Sequence, residues 1–60
     1  ATIDIAIAAA ELAAAQHALG RDAQARANLE QALPVLRDLL LPTEISRAEA
    51  ERLAVQLGLR

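Results

Sequence analysis

Residues 2–33 read TIDIAIAAAELAAAQHALGRDAQARANLEQAL, and this stretch predicts a helical hairpin. Alanine and leucine, both strong helix formers, dominate it on either side of the segment Leu19-Gly20-Arg21-Asp22. Gly20 can adopt the left-handed conformation that commonly ends a helix, and Asp22 can accept hydrogen bonds from the free amides of a new first turn. Because the stop and the start are so close, we expect two antiparallel helices joined by a tight corner.

The first helix, expected over about residues 3–19, is apolar on most of its sides. Its charged residues, Asp4 and Glu11, are seven apart and therefore lie on nearly the same line. Two sets of apolar residues share the remaining sides: Ile5, Leu12 and Leu19 recur every seven residues with Ile7 beside them, and Ala6, Ala10, Ala14 and Ala18 form a ridge at i, i+4 spacing. Such a ridge of methyl groups allows a neighbouring backbone to approach toward the lower end of the range of about 8–10 Å.

The beginning of this helix also contains the pattern of a strand. Ile3, Ile5 and Ile7 alternate with more polar or smaller residues. Since no other segment of the chain offers a strand to pair with, we favour a helix that continues through residues 2–7.

The second helix is expected over about residues 23–41. Its apolar residues fall on one face, which comprises Ala25, Leu29, Ala32, Leu33, Leu36 and Leu40. Pro34 removes the amide that would bond to the carbonyl of Glu30. Because the apolar pattern continues beyond it, one helix kinked at Pro34 is favoured, and two helices with Pro34 at the start of the second are the alternative.

A third helix is expected over about residues 46–57. Ser46 and Glu49 match a capping box, with a start one turn earlier at Thr43 as the alternative. Gly58 marks the end of this helix, with Leu59 folding back, and the apolar face contains Ala50, Leu53, Ala54 and Leu57. The sequence thus predicts an all-α, three-helix module that forms a single domain over residues 1–60.

Size and composition favour association with another molecule. A chain of 60 residues buries only about 60% of the surface that its unfolded form exposes. It has 0% aromatic residues and no cysteine, so neither large rings nor disulfides brace the core. We therefore expect a homodimer, or docking on another helical protein, through the first helix and the end of the second. The expected interface residues are Ile3, Ile7, Ala10, Ala14, Leu36, Leu40 and Leu41.

Chemistry and targeting signals are sparse. His17 is the only histidine, and the chain has no cysteine, so the usual ligands of a transition-metal site are too few. We therefore expect no metal and no cofactor. We also expect no small-molecule substrate and no enzyme activity. The net charge of −2 argues against a nucleic-acid surface. The apolar run of the first helix contains Glu11, so we expect no membrane span. The run also lacks a basic flank, so we expect no signal peptide. We therefore expect a cytoplasmic location.

Two segments resemble known families. Ala18-Leu19-Gly20-Arg21-Asp22-Ala23-Gln24-Ala25, followed by Leu29, Ala32 and Leu33, resembles the corner of a tetratricopeptide-type hairpin, and the likeness extends over residues 9–33. It departs from that family at Ala9 and Gln16, where aromatic residues are usual, and at the early Pro34. This resemblance implies a fragment of a scaffold that binds protein partners.

The second resemblance concerns residues 51–59. Glu51-Arg52-Leu53-Ala54-Val55-Gln56-Leu57-Gly58-Leu59 is similar to the first helix and turn of a bacterial helix-turn-helix, whose recognition helix would follow Arg60. All basic residues are arginine, which together with the alanine excess indicates a GC-rich bacterial genome. The function that we expect is a dimerisation or docking element of a larger bacterial protein. A tetratricopeptide-like fragment and a truncated DNA-binding protein are the alternatives.

Overall fold

The chain folds into three α-helices. A computed structural model describes residues 1–59, in which α1 spans Thr2–Ala18, α2 spans Asp22–Leu39 and α3 spans Ile45–Gln56. The expected all-α, three-helix architecture is confirmed, and the described range contains no strand. The helix bounds differ from the expected ones by one or two residues at each end. The alternating isoleucines near the N-terminus lie within α1, which begins at Thr2.

The corner between α1 and α2 forms where glycine was expected to end the helix. Gly20 has a φ of 77°, its amide donates to the carbonyl of His17, and the amide of Arg21 donates to the carbonyl of Gln16 at 2.8 Å. This pair of hydrogen bonds is the Schellman motif, which requires the left-handed backbone conformation that Gly20 adopts. Asp22 does not cap α2 as expected. Its Oδ1 lies 2.8 Å from Nδ1 of His17, so the carboxylate ties the two helices together across the corner.

Helix α2 supplies the centre of the core. Its apolar face is buried as expected, and Leu29 and Leu36 are fully enclosed. Helix α1 packs mainly on α2, and α3 also contacts α2 more than it contacts α1. The helix continues through Pro34, whose side chain is exposed. The buried residues of α2 are Ala25, Leu29, Ala32, Leu33 and Leu36.

Helix α3 begins two residues earlier than the capping box requires. Its N-cap is Glu44, and within residues 1–59 no side chain caps it, so the expected Ser46–Glu49 capping box is wrong. Ser46 lies instead inside the first turn. The other end is as expected: Gly58 has a φ of 75°, the amide of Leu59 donates to the carbonyl of Ala54 at 2.7 Å, and Leu59 packs against the core.

Arginine side chains join α2 and α3 at both ends. Arg26 Nε donates to the carbonyl of Leu57, where α3 ends, at 2.8 Å, and Arg47 Nη1 donates to the carbonyl of Leu40, where α2 ends, at 2.9 Å. Each arginine therefore satisfies a terminal carbonyl of the other helix and places a positive charge at its negative dipole end. These two contacts fix the position of α3 along the axis of α2.

Candidate association surface

Helix α1 is apolar on nearly every side, but the fold covers only one of them. The covered side carries small residues: Ala6 and Ala13 are buried against α2, and Ala9 and Ala10 are partly buried beside them. A helix that is apolar all round is normally enclosed by other helices. Of the three pairs of helices, α1 and α3 have the least extensive contact, so much of α1 remains uncovered.

The side of α1 that faces away from α2 carries an apolar row, which we call the outer stripe. Its large residues are exposed over 71% (Ile5), 50% (Leu12) and 70% (Leu19) of their surface. Ala8 and Ala15, also exposed, alternate with them, so that the spacing along the row is three, four, three and four residues. This is the spacing by which one helix of a coiled coil contacts its partner. The outer stripe comprises Ile5, Ala8, Leu12, Ala15 and Leu19.

The two edges of the outer stripe differ in charge. Exposed carboxylates, Asp4 and Glu11, border one edge, each immediately before a large residue of the stripe. Ala9 and Gln16 border the other edge, where Asn28 Nδ2 donates to Gln16 Oε1 at 2.8 Å and thereby holds that side chain toward α2. The stripe is therefore an apolar surface with one acidic edge and one uncharged edge.

A groove between α1 and α3 forms a second uncovered apolar surface. It has a volume of about 190 Å³. Its floor is apolar, and carboxylates of Glu11 and Glu49 lie at its margins. The residues that line it are Ile7, Ala10, Glu11, Ala14, Ser46, Glu49, Ala50 and Leu53.

The expected interface residues fall into four different environments. Ile7, Ala10 and Ala14 come together along the groove between α1 and α3. Ile3 and Leu40 are partly buried against the core, while Leu41 is exposed in the connection after α2. Leu36 is 0% exposed inside the core, so it is not available to a partner in this fold.

The residues of the outer stripe were missed as site candidates, although the sequence contained the signal. The sevenfold repeat of Ile5, Leu12 and Leu19 was visible, but periodicity does not state which apolar side of a helix faces its neighbour. The structure packs inward a side centred on Ala6 and Ala13, where methyl groups allow a close approach of two helices. The large residues of the outer stripe are consequently left outside, whereas Ile3 and Ile7 are partly buried against the core. Of the expected alanine ridge, Ala10 is only partly buried, and Ala14 and Ala18 are exposed.

The remaining groups offer little for other kinds of site. Among residues 1–59, no three His, Cys, Asp or Glu side chains are placed to share a metal ion. None of the helices in that range combines the length and the apolar character needed to cross a membrane. Comparison of the chain with family models, with curated proteins and with solved structures gives no match.

Proposed function

We propose that this chain is a protein–protein interaction module that dimerises through the outer stripe of α1. It acts by helix packing rather than by catalysis, and in the cytoplasm it would join two copies of a larger bacterial polypeptide. The observation that carries this proposal is the exposed row of Ile5, Leu12 and Leu19 at coiled-coil spacing on a helix that is apolar on nearly every side. Scattered exposed aliphatic residues are ordinary on a protein surface, but a continuous regular row indicates an interaction surface.

Burial of these side chains would drive the association. Each large aliphatic side chain contributes about 1.5–3 kcal/mol when it is fully removed from water. A depression of about 150 Å³ between α1 and α2, lined in part by Ile5, Ala9 and Val35, extends the apolar surface beyond the stripe. The 17 residues of α1 nevertheless give an interface only about 26 Å long. An interface of this length lies near the lower size limit of specific complexes, so we expect a dissociation constant in the micromolar range.

Paired isoleucine substitutions test the proposal. Ile5 in the stripe and Ile45 at the start of α3 are the same residue with nearly the same exposure, 71% and 74%. Glutamine is at least as good a helix former as isoleucine, so neither change weakens its helix. We expect sedimentation equilibrium to show a dimer for the natural chain and for Ile45→Gln. For Ile5→Gln we expect the association to be about tenfold or more weaker, which shifts this variant toward monomer.

Two results would contradict the proposal. One is a natural chain that remains monomeric and cooperatively folded at millimolar concentration. The other is a dimer that Ile5→Gln leaves intact while Ile45→Gln disrupts it, which would place the interface around the α2–α3 connection. Circular dichroism on each variant distinguishes loss of association from loss of folding, because a dissociated but folded chain keeps its helical signal.

A further inference from the structure

The outer stripe has a regular order of sizes that bears on how two copies would pair. In heptad terms its large residues, Ile5, Leu12 and Leu19, all occupy one seam position, and its alanines, Ala8 and Ala15, occupy the other. The order of sizes therefore repeats strictly as large, small, large, small, large along the exposed side of α1. This inference rests on the proposed dimer and adds the direction of its helices.

A parallel pair would match each seam residue with its own copy. Ile5, Leu12 and Leu19 would then meet their counterparts in crowded layers, and the layers between them would contain only two alanines each. Two helix axes cannot be close enough for the alanine layers and far enough apart for the leucine layers at the same time. Such a pairing leaves voids along the seam, and the atoms that line a void lose packing contacts.

An antiparallel pair removes this conflict. In that direction one seam position faces the other. The register that seats every large residue on an alanine places Ile5 opposite the partner's Ala15, Leu12 opposite the partner's Ala8 and Leu19 opposite the partner's Ala1, whereas a shift by seven residues would place Ile5 opposite the partner's Asp22. The reciprocal layers follow by symmetry. Every layer then combines one large and one small side chain, and the helix axes can stay at a uniform short separation. We infer that two copies of this chain pair through antiparallel α1 helices, with each large residue of the outer stripe seated on an alanine of its partner.

This arrangement has a specific electrostatic consequence at its centre. With the layers just described, the twofold axis passes near residue 10 of α1, and Glu11 of each copy lies beside the partner's Glu11. A parallel pair would instead place Glu11 next to the partner's Gln16. Like charges at such spacing weaken association modestly. Glu11→Gln should therefore tighten the antiparallel dimer by about twofold, which is the effect of a few tenths of a kcal/mol, and leave a parallel one unchanged.

Engineered cysteines give the decisive measurement, because the natural chain contains none. A disulfide requires Cα atoms about 4.4–6.8 Å apart. In the antiparallel dimer Glu11→Cys meets itself near the axis, while two copies of Ala15→Cys lie about 15 Å apart along the helix. In the parallel dimer Ala15→Cys meets itself in the seam. Both positions are exposed, so neither change disturbs the core.

We expect mild oxidation to link Glu11→Cys into a covalent dimer and to leave Ala15→Cys largely unlinked. A mixture of Asp4→Cys and Ala18→Cys should yield the mixed disulfide, because the antiparallel order brings the start of one α1 to the end of the other. Efficient linking of Ala15→Cys with little linking of Glu11→Cys would overturn the inferred direction and leave the proposed dimer standing. A chain that sediments as a monomer and links at neither position would overturn the dimer itself.

Discussion

At the scale of single residues, one ion pair connects the last turn of α2 to the middle of α3. Arg37 binds Glu51 in bidentate fashion, with Nε to Oε2 at 2.9 Å and Nη2 to Oε1 at 2.6 Å. Arg47 adds a longer contact, since its Nε lies 3.6 Å from Glu51 Oε2. The hydrogen bond from Arg37 is the main reason that the pKa of the Glu51 carboxyl lies below its ordinary value of 4.5, and the same bond raises the pKa of Arg37. Arginine suits this position because its planar fork matches a carboxylate.

The lowered pKa of Glu51 leads to a prediction about stability in acid. A carboxyl with a lower pKa in the folded chain than in the unfolded chain stabilises the fold above the unfolded pKa, and this contribution is lost as pH falls through the folded pKa. The side chains of the pair are 37% and 35% exposed, so solvent screening limits the contribution to about 0.5–1 kcal/mol. We expect Glu51→Gln to reduce the free energy of unfolding by this amount at neutral pH, and by progressively less as pH falls below 4.5 and through the lowered pKa of Glu51.

Urea denaturation followed by circular dichroism at several pH values measures this difference. Glu30→Gln is the matched control, because Glu30 is an exposed carboxylate of α2. An equal, pH-independent loss for Glu51→Gln and Glu30→Gln would show that the pair with Arg37 contributes nothing specific.

At the scale of helices, α2 supplies the centre of the core and also contains a proline that weakens the helix. Pro34 lies inside the helix and cannot donate to the carbonyl one turn earlier. The apolar residues on both sides of it, Leu33 and Leu36, are buried, and their packing holds the helix together across the missing bond. Because the proline side chain itself is exposed, its replacement disturbs no core contact.

We therefore expect Pro34→Ala to stabilise the chain. Alanine restores the amide donor and has the highest helix propensity, so the free energy of unfolding should rise by about 1–3 kcal/mol. Pro42→Ala, in the exposed connection between α2 and α3, provides the control. There the change only makes the unfolded chain more flexible, and stability should fall slightly. Chemical denaturation at one fixed protein concentration checks both variants, and a loss of stability in Pro34→Ala would contradict this account of α2.

The helices differ in how far the sequence determined their packing. The expected apolar faces of α2 and α3 are the ones that the structure buries, except that Leu40 is only partly buried. The helix ends at Gly20 and Gly58 were also predicted, because glycine readily adopts the left-handed conformation that ends a helix and is recognisable from the local sequence. In α1, by contrast, apolar residues surround the axis, so periodicity could not choose between the alanine side and the aliphatic side. That choice depends on how closely α2 approaches, which is a property of the assembled fold.

At the scale of the whole molecule, the core is centred on α2 and leaves one helix half covered. Only Ala6 and Ala13 of α1 are buried, whereas α2 buries five residues and α3 buries three. Sixty residues supply few large side chains to enclose, and stability in such small domains is marginal. Ile3 and Ile7 of α1 are partly buried against the core. The large residues of the outer stripe are exposed, so they contribute to stability only if another molecule covers them.

Association and folding should therefore be linked, and thermal unfolding can reveal it. If only the folded chain dimerises, mass action raises the melting temperature as the protein concentration increases. For a domain of this size we expect a rise of roughly 3–6 °C for each tenfold increase above the dissociation constant. Ile5→Gln should melt at a temperature that is nearly independent of concentration over the same range, while Ile45→Gln should follow the natural chain. A melting temperature of the natural chain that stays constant from micromolar to millimolar concentration would mean that the outer stripe remains uncovered, and the proposed dimer would have to be abandoned.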